Sequence, residues 1–175
     1  MRCKNCKIKT METINISEEQ IERAKKLYTF GELKGSKTKG KGNLFGAIGE
    51  IIVFDVYTAK GSKLDFNSTY DYDLIIDNYK IDVKTKKFTA RFTPNNNWNL
   101  NIFDFNTTQK CNYYFFVGVS DDLKNAYLYG YIKPIDFYNI STFNKKNEID
   151  PNGNGVWTFK DDCYNLQIGK LNKFN

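Results

Sequence analysis

Apolar positions in this chain recur first at helical and then at strand spacing. The segment Ile16-Ser17-Glu18-Glu19-Gln20-Ile21 opens a helix, with Ser17 as its cap, Gln20 as the capping-box partner and Ile16 placed to staple onto Ile21. Ile21, Ala24, Leu27 and Tyr28 then fall on one stripe, which predicts a packing helix running to about Phe30 and Gly31. Residues 34–42 hold four lysines and three glycines and predict a flexible basic loop. Residues 43–57 are apolar nearly all round, the mark of a buried second helix. Gly46 and Gly49 weaken that helix intrinsically but let it lie close to a sheet.

From Lys63 onward the pattern shifts to short runs rich in aromatic and β-branched residues. Strands are predicted at about 63–67, 72–77, 79–86, 97–103, 113–119 and 126–132. Between the strands at 97–103 and 113–119, residues 104–110 supply at most a turn or two of helix. Pro134 suits the first turn of a third helix ending near Phe143, followed by a polar loop over 144–155 and a short strand at 156–159. The expected architecture is one α/β domain over residues 1–175, a central mixed β-sheet flanked by helices, with residues 1–15 as an N-terminal arm.

Composition narrows the chemistry. A length of 175 residues with 41% hydrophobic content suits one globular core, and no run of about 20 apolar residues is present to span a membrane. A soluble, cytoplasmic protein without a membrane partner is expected. The net charge of +6, mostly lysine, favours polyanionic partners. The count of histidines is zero, which excludes Ser-His-Asp hydrolysis and imidazole-based metal sites. Cys3-x-x-Cys6 has the spacing of half a zinc knuckle, but no second pair completes four ligands, and the two are read as thiols on the arm.

The chemistry-bearing stretch is Tyr72 to Lys84. With Asp77-Asn78 at the centre of a tight hairpin turn, residues whose numbers sum to 155 face each other, so Asp73 stands opposite Asp82. Alternation then puts Leu74, Ile76, Tyr79, Ile81 and Val83 on the core face, and Asp73, Ile75, Lys80, Asp82 and Lys84 on the other. Opposed carboxylates repel unless a cation or proton lies between them, and hard carboxylate oxygens suit Mg²⁺. A solvated polar face on an edge hairpin is the bland alternative. Glu50, in the otherwise apolar second helix, is a third candidate ligand, because a lone buried carboxylate is costly.

Glu50 on a helix, Asp73 on the first arm of a hairpin and Asp82-Val83-Lys84 on the second together resemble the PD-(D/E)xK nuclease superfamily. The resemblance covers about residues 43–86, with Tyr72 where the family name has proline and Asp71 as a rival metal ligand. It implies a restriction-endonuclease-like core and an endonuclease that hydrolyses DNA phosphodiesters. Glu50, Asp73, Asp82 and the Val83 carbonyl would hold Mg²⁺, for which Mn²⁺ could substitute, and Lys84 would act on the water or the phosphate. Lys34, Lys37, Lys39 and Lys41 before the Glu50 helix, and Lys86, Lys87 and Arg91 after the hairpin, would contact phosphates. Cutting both strands of a duplex would take a homodimer or two encounters. Gln109-x-x-x-Tyr113 has the spacing of an auxiliary motif of exonuclease-like branches, but Tyr113 reads as strand onset and the spacing is treated as coincidence. The alternatives are a catalytically silent nucleic-acid-binding domain of the same fold and an assembly protein with Cys3 and Cys6 in a zinc knuckle.

Overall fold

The computed structural model describes residues 11–29, 43–66, 69–151 and 158–174. The basic loop, with Lys34, Lys37, Lys39 and Lys41, lies outside the described residues, as do Cys3 and Cys6 and residues 156–157 of the strand expected at 156–159. The protein is a mixed α and β structure. Its main sheet contains β1 (Glu12–Asn15), β2 (Leu64–Phe66), β3 (Leu74–Ile76), β4 (Tyr79–Phe88), β6 (Tyr113–Ser120) and β7 (Asn125–Ile132) in the order β1-β7-β6-β4-β3-β2. The β4 and β6 strands run parallel, and every other pairing in this sheet is antiparallel. A second sheet, β5-β9-β8, joins β5 (Asn99–Phe103), β8 (Thr142–Asn144) and β9 (Cys163–Gln167).

Helices α1 (Glu18–Thr29) and α2 (Asn43–Ala59) cover one face of the main sheet. The capping box forms as the residue types require: the Gln20 amide donates to Ser17 Oγ at 3.2 Å and the Ser17 amide donates to Gln20 Oε1 at 3.0 Å. Ile48, Ile51, Ile52 and Val53 of α2 pack against Leu74, Ile76, Ile81, Val83, Phe115 and Val117, all buried. Each such side chain contributes about 1.5–3 kcal/mol when removed from water. No helix among the described residues is long and apolar enough to cross a membrane.

The opposite face departs from the expected helix-flanked arrangement. It is covered by the second sheet and by one short helix, α3 (Pro134–Ile140), around Tyr114, Phe116, Tyr129 and Phe137. The parallel step from β4 to β6 needs a long crossover, and residues 89–112 provide it with β5 and a single 3-10 turn at Asp104–Asn106 instead of a full helix. Further differences are smaller. The helix at Pro134 stops at Ile140, and 142–144 pair as a strand with β9. The N-terminal arm is drawn into the sheet at 12–15, where it covers the outer edge of β7.

One contact fixes α2 against β4. A Cβ built on Gly49 would lie 2.0 Å from Thr85 Oγ1 and 3.2 Å from its Cβ, so only glycine allows this approach. In isolation, Gly49→Ala would favour the helix by about 1 kcal/mol. In this protein it is expected to lower stability by about 1–3 kcal/mol, as overpacked cores do. Adding Thr85→Ala should recover most of the loss, measured by urea unfolding of the two variants. A stable single variant would show that the helix does not rest on β4 here.

Candidate functional site

The site is built at a fork. Asp77 and Asn78 adopt left-handed backbone angles, φ 48° and 73°, as a two-residue primed turn requires, and they set the pairings Leu74↔Ile81, Ile75↔Lys80 and Ile76↔Tyr79. This is the register expected from the sequence. The ladder ends at Leu74, however, so Asp73 and Asp82 are not paired as strand partners. The Asp73 amide instead donates to the Ile81 carbonyl at 2.9 Å, and its Oδ2 accepts the Val83 amide at 2.8 Å. A carboxylate thus caps an amide that a longer β3 would have paired with backbone. Asp73 lies in the gap that opens where β3 leaves β4.

Asp82, on β4, is 3% exposed. The Lys84 ammonium lies 2.6 Å from its Oδ2, an ion pair by distance, yet no donor makes a well-directed hydrogen bond to that buried oxygen. Glu50 is half-buried on α2, one residue after the Gly49 contact with β4. Burial first, and the Asp82 charge second, push the Glu50 carboxyl up to about 7. Burial, then the charges of Glu50 and Asp82, hold Asp73 well above the usual carboxylate range. The Val83 amide works against this rise, and a hydrogen bond shared with Asp82 adds to it. The charges of these acids, one on a helix and two at the hairpin, therefore act on one another, and the carboxyls of Glu50 and Asp73 hold their protons more tightly for it. Among the described residues no group of three His, Cys, Asp or Glu side chains stands ready at metal-ligating spacing.

Lys84 has further partners that sequence reasoning did not assign to the site. Its Nζ donates to Gln109 Oε1 at 2.8 Å and lies 5.5 Å from the centre of the Tyr114 ring. Gln109 Nε2 in turn donates to the Tyr70 carbonyl at 2.8 Å, so this side chain ties Lys84 to the loop that leads into Asp73. The only signal in the sequence was the Gln109-x-x-x-Tyr113 spacing, since the parallel pairing of Asp82 with Tyr114 is not revealed by periodicity. Asp71, the rival ligand, accepts the Lys110 amide at 3.1 Å and serves the same loop junction. Cys111 also neighbours the site; burial, followed by the Asp82 charge, pushes its thiol up to about 12, so it is neutral and a poor nucleophile.

The expected phosphate contacts divide. Lys87 and Arg91 are exposed, with Lys87 over the Phe45 ring and Arg91 over the Phe92 ring. Lys86 is not a surface cation: it is half-buried, donates to the Asn99 carbonyl, and is shifted downward by burial. Comparison with protein-family models and with curated proteins finds no match.

The acid cluster has a measurable signature. Glu50 titrates at about 7 when folded and near 4.5 when unfolded, so the folded protein holds this proton more tightly between the two values. Stability must then fall as pH rises through that window, by on the order of 3 kcal/mol for a shift of this size. In the presence of a chelator, the melting temperature should drop between those pH values. Glu50→Gln should remove much of the slope, and an equal slope in parent and variant would contradict the clustering.

Proposed function

We propose that this protein is a Mg²⁺-dependent nuclease of the PD-(D/E)xK kind, hydrolysing DNA phosphodiesters at the fork between β3 and β4. The observation that carries this reading is that Glu50, Asp73 and Asp82 lie near enough for the Asp82 charge to raise the other two carboxyls, with the Lys84 ammonium 2.6 Å from Asp82. Such a cluster is costly to maintain for structure alone, and perturbed carboxyls grouped with a lysine are a functional signature.

The donor set fits a hard divalent cation. Carboxylate oxygens are the ligands Mg²⁺ prefers, and Asp82 Oδ2 is buried without a hydrogen-bond donor. Glu50, Asp73 and Asp82 would hold the ion, with the Val83 carbonyl as a backbone donor. When bound, Mg²⁺ supplies Lewis-acid stabilisation of the phosphate and activates the attacking water. Lys84 donates to a phosphoryl oxygen as its charge grows, and Gln109 keeps the ammonium from turning away. To hold the ion, Asp82 would have to release Lys84, whose ammonium now lies 2.6 Å from its Oδ2.

That ion pair also favours a second reading, a silent nucleic-acid-binding domain in which Lys84 permanently neutralises Asp82. Cleavage and melting separate the two. For a nuclease, Mg²⁺ at about 100 times its Kd should stabilise the parent by about 2.7 kcal/mol, and Asp82→Asn should lose both this shift and all detectable cleavage of a DNA panel. Lys84→Met should keep the shift and cut about 100- to 1,000-fold more slowly. A folded parent that neither binds Mg²⁺ nor cuts any DNA or RNA would favour the silent domain, and undiminished cutting by either variant would refute the site.

A further inference from the structure

The outer edge of β4 is covered by β3 only over Tyr79–Ile81, and among the described strands nothing pairs with that edge beyond Val83. The second sheet stands beside this open stretch. Between them lies a cleft of about 360 Å³, lined by Lys84, Lys86, Leu100, Asn101, Phe103 and Phe116. Clefts of about 300–1,000 Å³ accept one compact organic ligand. Lys84 belongs both to this cleft and to the acid cluster, so whatever enters the cleft is continuous with the group at the fork.

The walls have the chemistry of a nucleotide. Phe103 is partly exposed and stacks on Phe105, with ring centres 5.4 Å apart and planes 12° from parallel, which holds a flat aromatic wall in place. Asn101 is exposed beside it and offers both an amide donor and a carbonyl acceptor. Lys86 stands inside in a half-buried position, its ammonium on the Asn99 carbonyl and within reach of the Asp150 charge. Bases stack on aromatic side chains and phosphates seek lysine, but a base held in a duplex is already stacked and paired, and cannot enter a cleft walled on both sides.

We propose, resting on the nuclease reading, that this cleft is a single-nucleotide subsite, so that the strand presented to the acid cluster is unpaired there. The substrate is then single-stranded DNA or the unpaired arm of a branched duplex. The phosphate of the seated nucleotide faces Lys84, its base lies against Phe103, and the Asn101 carboxamide meets the base edge.

The test uses one sequence in three forms, as a single strand, a blunt duplex and a duplex with a single-stranded flap, each with 2-aminopurine at one position. Parent, Phe103→Leu and Asn101→Asp are compared. Neither position belongs to the acid cluster, and Asn101→Asp, being exposed, keeps the test valid if Phe103→Leu fails to fold. Binding is read by 2-aminopurine fluorescence with Ca²⁺, and cleavage with Mg²⁺. Unpaired forms should bind the parent about tenfold more tightly than duplex, with fluorescence quenched by stacking. Phe103→Leu should lose the quenching and the preference, and Asn101→Asp should weaken unpaired forms alone. Equal cutting of all three forms by the parent, unaltered in the variants, would overturn the subsite and leave the nuclease reading standing. If the parent cuts nothing, the nuclease reading falls, and strand binding that ignores both variants would overturn the subsite as well.

Discussion

Carboxylates held close together in a poorly solvated place repel, and in this protein that repulsion is concentrated where β3 leaves β4. Glu50 arrives from α2, Asp73 from the end of β3 and Asp82 from β4, and burial adds to their mutual cost. Protons, the Lys84 ammonium and the Val83 amide offset it in the absence of any other cation. The proposed cation site follows from that imbalance, because a divalent ion would relieve all three acids at once, whereas Lys84 reaches Asp82 alone.

The surrounding fold keeps these groups from moving apart. Gly49 lets α2 touch Thr85, which brings Glu50 to the strand that carries Asp82 and Lys84. The early end of β3 turns Asp73 into a cap for Val83, so one carboxylate stabilises backbone and stays at the fork. Gln109 and Tyr70 stitch the approach to Asp73 to the segment before β6, and Tyr70 Oη also contacts the Phe105 carbonyl and Thr108 Oγ1, each at 3.1 Å. The crossover that carries Gln109 also carries β5, so the element that positions Lys84 forms the far wall of the neighbouring cleft.

Much of this was legible from the residues. Period-two alternation and the Asp77-Asn78 turn are local signals, and they predicted the hairpin register and the buried face with Leu74, Ile76, Ile81 and Val83. The capping box of α1 is equally local. Tertiary pairing was harder to read. No pattern along the chain hinted that residues 12–15 would add a strand beside β7, nor that 163–167 would join β5 and β8, since short strands show their pattern only beside a partner. Asp73 was expected as the cross-strand partner of Asp82, but the ladder stops a residue earlier and the Asp73 carboxylate takes the Val83 amide instead. Gln109 contacts Lys84 across 25 positions, a distance no sequence window spans.

Isothermal titration of Mn²⁺ or Mg²⁺ near pH 7, in buffers of different ionisation enthalpy, addresses the central claim most directly. A cation that takes the place of the proton on Glu50, whose carboxyl is pushed up to about 7, must release it, so the binding heat should depend on the buffer. The release should shrink in Glu50→Gln. Saturable binding with no buffer dependence, or no binding by the folded protein, would contradict the account of the fork as a proton-loaded cation site.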